Sequence, residues 1–128
     1  MIAEVDNQVI GYVSYSPIFL KSSSGISGYI LAPLAVSPEH QKQVIGSNLI
    51  KSGIDMLTKE SVGILLVYGD SDYYGKFGFK EEIGRLFVPP YPLKYPFSWT
   101  GMKLNATATP NTPIKFECVA ALSKPDLW

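Results

Sequence analysis

Apolar residues recur along the chain with two different periods, which predict a strand, a helix and a second strand. Residues 28–36 are an apolar run of strand length, rich in Tyr, Ile, Leu and Val. From Ile45 to Lys59, apolar residues return about every 3.6 positions, as on one face of an amphipathic helix. Residues 63–69 are apolar on both faces, which favours a central strand covered on both sides. This order predicts a parallel strand pair joined by a right-handed helical crossover.

Two features interrupt this regular pattern. Pro33 lies inside the first strand and has no backbone N–H, so we expect its pairing to be broken or bulged there. The second strand leads directly into residues 70–79, which read as a short helix that Gly78 ends.

The flanking segments predict further strands around this unit. Residues 1–16 read as a hairpin that turns at Asp6-Asn7, with a strand at 9–16, and residues 18–20 read as another short strand. Residues 101–105 and 114–122 read as closing strands. No internal repeat or low-complexity linker interrupts the 128 residues, so we expect a single domain, 1–128.

Residues 85–99, here called the proline-rich segment, contain four prolines with aromatic residues between them. The prolines exclude a regular helix or a central strand. We expect the aromatics to dock on the chain's own sheet, with lining of an acceptor site as a second reading and binding of a partner module as a third.

Composition excludes several classes of function. The formal net charge is zero, so no general field favours nucleic acid or an anionic membrane. No segment reaches the ~20 apolar residues of a membrane span, and the N-terminus lacks signal-peptide features. One cysteine excludes an internal disulfide and fits a cytoplasmic protein. With a single histidine as well, a metal site is not expected, and a thiol–imidazole pair of His40 and Cys118 has no support beyond composition.

The turn into the predicted helix is the first candidate for chemistry. A helix N-terminus presents unpaired N–H groups and about half a positive charge, which suits a phosphate. Gly46 and the small Ser47 would let a bulky anion approach the backbone. The alternative, which these residues alone favour, is that Gly46 only eases a tight turn.

Motifs on either side of this turn resemble those of the GNAT N-acetyltransferases, and of one bacterial branch in particular. They are Leu31-Ala-Pro-Leu-Ala-Val36, Ser37-Pro38, His40-Gln41, Tyr68-Gly-Asp70, Tyr73-Tyr74 and Phe77-Gly-Phe79. The resemblance implies an α/β (α+β) fold with a mixed, splayed sheet flanked by helices. It also implies acetyl-CoA as co-substrate and acetyl transfer to an amine by direct attack.

The resemblance also implies roles for individual residues. Tyr74 would be the catalytic acid that protonates the departing thiolate, and Tyr73 would be a packing residue. The backbone of Leu34, Ala35 and Val36 would pair with the pantetheine arm. The turn that holds the pyrophosphate would comprise Gln41, Lys42, Gln43, Val44, Ile45, Gly46 and Ser47.

Two departures from the family pattern keep a second reading open. Val44 stands where the coenzyme signature has its first glycine, and a β-branched side chain there could crowd the pyrophosphate. The chain also starts at the family's second strand, so we expect an N-terminally shortened domain. The alternative is a non-catalytic module of the same fold that binds coenzyme A weakly or not at all and acts by interaction or dimerisation.

The acceptor and the general base are not readable from the sequence. The acceptor would be a small-molecule or peptide amine, and a homodimer is compatible with the resemblance. A carboxylate or a water must take the amine's proton unless the amine arrives neutral. The unranked candidates are Glu39, Asp70, Asp72, Glu81 and Glu82.

Overall fold

Strands and helices alternate in the computed structural model, which describes residues 2–5, 8–20, 28–36, 45–105 and 112–118. The strands are β1 (Ile2–Val5), β2 (Gln8–Leu20), β3 (Gly28–Val36), β4 (Ile64–Tyr68), β5 (Phe87–Val88), β6 (Trp99–Lys103) and β7 (Ile114–Cys118). The helices are α1 (Ile45–Lys59), α2 (Ser71–Gly75) and α3 (Glu81–Gly84), with a 3₁₀ turn at Pro96–Ser98. No helix within the described residues combines the length and the apolarity needed to cross a bilayer.

The strands form one mixed sheet in the order β5-β7-β2-β3-β4-β6, with β1 beside β2. β3 and β4 run parallel, joined by α1, whereas β2 with β3 and β4 with β6 are antiparallel. A mixed sheet flanked by helices is the predicted fold class, and the predicted bounds of β3 and α1 are confirmed.

Several element boundaries differ from the prediction. β2 is one strand from Gln8 to Leu20, not two, because the β2–β3 register continues through Pro17, which loses only its own N–H. α3 and the two-residue β5 were not predicted. β6 begins at Trp99, two residues before the predicted start. The predicted turn at Asp6-Asn7 and the end of the last strand, 119–122, lie outside the described residues.

The core occupies both faces of the sheet, and β4 contributes to each. On the face covered by α1, Leu65 and Val67 pack with Val13, Leu31, Leu49, Ile50, Leu57, Val62 and Phe79. On the opposite face, Ile64 and Leu66 pack with Ile18, Ile30, Phe87, Trp99 and Phe116. This two-sided burial explains why β4 is apolar throughout rather than alternating, and it confirms the predicted central strand.

The proline-rich segment docks only in part on the sheet. Trp99 stacks on Phe116 with ring centroids 5.8 Å apart, and its indole N–H donates to the Phe87 carbonyl at 2.9 Å. In contrast, the side chains of Tyr95 and Phe97 are 55% and 59% exposed. The expectation that the aromatics pack is therefore confirmed for the ends of the segment and wrong for this pair.

Candidate functional site

β3 and β4 separate at one end of the sheet. They pair from Gly28 with Ile64 to Leu31 with Val67, and no further. Beyond that point β3 stays paired with β2 as far as Val36, and β4 stays paired with β6 through Tyr68. The edge of residues 32–36 that faces away from β2 therefore takes no part in the β3–β4 ladder. No other strand of the described residues pairs with this edge, and an extended ligand can pair with an unpaired strand edge.

A bulge in β3 accompanies this separation. Leu31 faces Tyr15 and Leu34 faces Val13, so three steps along β3 match two along β2. The extra residue falls at Ala32-Pro33, as expected for a proline that cannot donate to a ladder. A bulge bends its strand, which fits the divergence of β3 from β4.

Helix α1 begins at Ile45, after β3. Its first turn contains the half-buried Gly46 and Ser47 and no acidic residue. The first turn of this 15-residue helix thus contributes no carboxylate to the helix's positive end. The remaining residues predicted for the pyrophosphate turn lie outside the described residues: Gln41, Lys42, Gln43 and Val44.

Tyr74 lies on α2, directly after β4. The Asp70 side chain caps this helix by accepting a hydrogen bond from the Asp72 amide at 3.0 Å. The Tyr74 amide donates to the Asp70 carbonyl at 3.0 Å. The Tyr74 ring lies over Gly69, where a Cβ would come within 2.7 Å of it. The end of β4 therefore fixes both the backbone and the ring of Tyr74.

The environment of Tyr74 keeps its phenol protonated. Burial raises the pKa of the Tyr74 phenol above its ordinary value of 10.0, and the nearby Tyr73 and Asp70 add to this shift. At neutral pH the group is accordingly a hydrogen-bond and proton donor.

Tyr73 and Tyr74 both make edge-on aromatic contacts, with different partners. Tyr73 lies between Tyr74 and Phe77, with ring centroids 5.1 Å and 5.5 Å away. Tyr74 also contacts the buried Phe79 at 5.7 Å. Both tyrosines therefore have packing contacts, and the Tyr74 ring alone of the two also lies against Gly69, directly after β4.

The described carboxylates do not single out a general base. Asp70, Asp72 and Glu82 are exposed, and Glu81 is paired with Arg85 at 2.9 Å. Glu39 and His40 lie outside the described residues, as does the side chain of Cys118, so the thiol–imidazole reading stays untested.

The proline-rich segment reaches the same end of the sheet as Tyr74. The Tyr95 amide donates to the Tyr68 hydroxyl at 2.9 Å, and the Gly69 amide donates to the Ser98 carbonyl at 3.0 Å. Between these anchors Tyr95 and Phe97 contact each other edge-on at 6.0 Å. The other part of the segment lines a cavity of about 650 Å³, with Pro89, Tyr91 and Leu93 facing Lys115 and Glu117 of β7.

Two residues that shape this site were given no role of their own from the sequence. Gly69 belongs to the motif Tyr68-Gly-Asp70, but a glycine after a strand reads simply as a turn, and the structure shows that the Tyr74 ring packs against it. Tyr15 of β2 contacts α1 and reads as an ordinary inward-facing strand residue. The signal that could have found Tyr15 is its partner Gly53, because a glycine inside a helix is costly unless something packs closely on it.

Comparison with known proteins agrees with this geometry. The profile of the acetyltransferase (GNAT) domain matches residues 1–81. The uncharacterized N-acetyltransferase YjhQ of Escherichia coli K12 is 31% identical over 114 residues, which is 88% of this chain and 63% of YjhQ. The chain thus spans less than two thirds of the length of that relative.

Solved structures share the fold. The GNAT family N-acetyltransferase YhbS of Escherichia coli, solved in complex with CoA, superposes with a TM-score of 0.83 at 24% identity, over 96% of this chain and 68% of YhbS. A GNAT family acetyltransferase of Brucella melitensis, solved in complex with acetyl-CoA, superposes with a TM-score of 0.70 at 26% identity, over 95% of this chain and 66% of the Brucella protein. The match of the domain profile to residues 1–81, more than half of the chain, shows that the chain belongs to the GNAT acetyltransferase family.

Proposed function

We propose that this chain is the catalytic domain of an acetyl-CoA-dependent N-acetyltransferase that acetylates a primary amine. The observation that carries the proposal is the separation of β3 from β4 after Leu31 and Val67, which leaves the backbone of 32–36 open toward β4. The family membership and the acetyl-CoA in the Brucella melitensis structure support the choice of ligand.

The residues around the separation fit such a ligand. Backbone groups of Leu34, Ala35 and Val36 would pair with the amides of the pantetheine arm. The first turn of α1, with Gly46 and Ser47, would hold the pyrophosphate, since it carries no acidic side chain to repel it. Acetyl-CoA supplies an acetyl thioester that a neutral amine can attack directly.

Tyr74 would donate its proton to the sulfur that leaves as the acetyl group is transferred. Its raised pKa keeps that proton available across the neutral range. The exposed pair of Tyr95 and Phe97, pinned at the same end of β4, supports an acceptor with an apolar portion beside its amine.

Acetyl-CoA is expected to stabilise the folded chain. At about 100 times its dissociation constant a ligand adds about 2.7 kcal/mol to the free energy of unfolding, which for a domain of this size raises Tm by several degrees. Thermal denaturation with and without millimolar acetyl-CoA measures this, with a GNAT enzyme of known activity as control. An unmoved Tm, while the control responds, would contradict the proposal.

Val44→Gly is expected to tighten coenzyme A binding, because it restores the glycine of the family signature. The more flexible turn would at the same time lower stability slightly. Calorimetric titration of both proteins measures the affinities. An unchanged or weaker affinity would mean that the turn already accommodates valine.

An assay for transfer separates the enzyme from the non-catalytic module. Release of free thiol from acetyl-CoA, measured across a panel of primary amines, is expected for at least one amine. Binding of acetyl-CoA with no transfer to any amine of the panel would favour the non-catalytic alternative.

A further inference from the structure

We propose that Tyr15 is a positioning residue for coenzyme A, because it ties helix α1 to the sheet where β3 leaves β4. It would thereby set the spacing between the helix N-terminus, which holds the pyrophosphate, and the open edge of β3, which holds the pantetheine arm. The inference rests on the proposed function and deepens it by assigning a residue that contacts neither ligand half.

The contacts of Tyr15 with α1 are made by both its hydroxyl and its ring. The hydroxyl donates to the carbonyls of Leu49 and Ile50, each at 3.3 Å, so one O–H is shared between two acceptors. These carbonyls lie in the second turn of α1, close to the end that faces the proposed pyrophosphate.

Gly53 makes the approach of the ring possible. A Cβ built on Gly53 would lie 2.1 Å from both Cζ and Oη of Tyr15, far inside any allowed contact. The Tyr15 ring therefore lies directly on the backbone of α1, and only glycine at position 53 permits this. A helix-interior glycine sacrifices helix propensity, which fits a site kept open for a close contact.

Tyr15 acts from the strand position that adjoins the bulge. It faces Leu31, the last β3 residue that pairs with β4, and the register shifts immediately beyond it. Tyr15 thus contacts the helix that follows the open edge, and its backbone pairs with β3 at the residue where that edge begins. Moving this contact would move α1 relative to residues 32–36.

Tyr74 also lies near the contact between Tyr15 and α1. Burial, followed by the nearby Tyr74, raises the pKa of Tyr15 to about 12. Tyr15, Tyr73 and Tyr74 pack against the same core cluster on the α1 face of the sheet. The contact between Tyr15 and α1 is therefore part of the surroundings of Tyr74.

Spacing matters because the ligand is anchored at two points. When one half of a molecule binds, the second half binds at a high effective concentration only if its site is at the right distance. A helix that shifts or rocks on the sheet lowers this advantage while leaving each half-site intact. Affinity for the whole ligand then falls, and affinity for the separate halves does not.

The test compares dissociation constants for acetyl-CoA with those for its two halves, pantetheine and adenosine 3′-phosphate 5′-diphosphate, by NMR titration. Tyr15→Phe keeps the ring and removes the hydroxyl, and Tyr29→Phe in the same core cluster is the matched control. We expect Tyr15→Phe to raise the dissociation constant for acetyl-CoA about fivefold to tenfold and to change the dissociation constant for each half less than twofold. Tyr29→Phe should leave all three constants unchanged.

Gly53→Ala tests the same contact from the helix side. Gly53→Ala should raise the dissociation constant for acetyl-CoA at least as much as Tyr15→Phe does, again without raising the constants for the two halves. Ser52→Ala, on the exposed side of α1, should leave the dissociation constant for acetyl-CoA unchanged. An unchanged affinity of both Tyr15→Phe and Gly53→Ala for acetyl-CoA would overturn the positioning role. So would an equal loss for the whole ligand and for a half, since that indicates direct contact or general disruption.

The parent protein separates failure of this inference from failure of the proposed function. If the parent binds acetyl-CoA and both variants bind it equally well, the role of Tyr15 is contradicted and the proposed function is not. A parent that binds neither acetyl-CoA nor its halves contradicts the proposed function, and the role of Tyr15 with it.

Discussion

Tyr74→Phe is expected to fold normally, to bind acetyl-CoA within a small factor of the parent, and to lose at least tenfold in turnover. The substitution removes only the hydroxyl and keeps the ring that lies on Gly69 and contacts Phe79. A thiolate is a tolerable leaving group in water, since thiol pKa values lie near 8.5. In a half-buried cleft its charge is harder to accommodate, and general acid assistance is typically worth about 10²–10⁴-fold.

Tyr73→Phe is the matched control, because Tyr73 is the neighbouring tyrosine on the same helix and contacts the same ring. It should change turnover little. Steady-state rates with an acceptor found by screening give the comparison. Equal turnover of the parent and Tyr74→Phe would contradict the general-acid role. The raised pKa of Tyr74 further predicts that any alkaline loss of rate due to this group occurs above pH 10.

Gly84→Ala is expected to lower the free energy of unfolding by about 2–3 kcal/mol, as overpacking of a close contact does. A Cβ on Gly84 would lie 2.4 Å from the Trp99 carbonyl oxygen and 3.0 Å from the Thr100 Cα. These are backbone atoms of β6, so they cannot move aside as a flexible side chain would. The strain would displace α3 from β6, next to the Trp99 that pairs with Tyr68 at the end of β4.

Gly75→Ala is the control for this substitution. Gly75 also belongs to a short helix, but a Cβ there would meet nothing within 4 Å. It should be neutral or stabilising by about 0.4–1 kcal/mol through loss of backbone entropy in the unfolded chain. Urea denaturation midpoints of the two variants measure the difference. A Gly84→Ala protein as stable as Gly75→Ala would mean that α3 and β6 are not held at this distance.

Local patterns predicted the centre of the fold because each element there obeys one rule. The 3.6-residue period fixed α1, and the two-sided apolar run of β4 reflects its burial on both faces. Pro33 predicted the bulge because a missing N–H has a direct consequence for a ladder.

The errors arose where long-range contacts decide the structure. Pro17 read as a strand end, yet its neighbours on both sides remain paired with β3. Tyr95 and Phe97 read as packed aromatics, yet both rings are exposed. Their segment is held at the end of β4 by hydrogen bonds from the Tyr95 amide to the Tyr68 hydroxyl and from the Gly69 amide to the Ser98 carbonyl. The contact of Tyr15 with Gly53 joins residues far apart in sequence, which periodicity cannot detect.

Hydrogen exchange of individual backbone amides, measured with and without saturating acetyl-CoA, tests whether acetyl-CoA binds where β3 leaves β4. Binding at this place predicts slower exchange at residues 34–36 and at Gly46 and Ser47, with little change in the paired interior of β4. If saturating acetyl-CoA leaves exchange at residues 34–36 unchanged, or slows exchange only elsewhere, acetyl-CoA does not bind where β3 leaves β4.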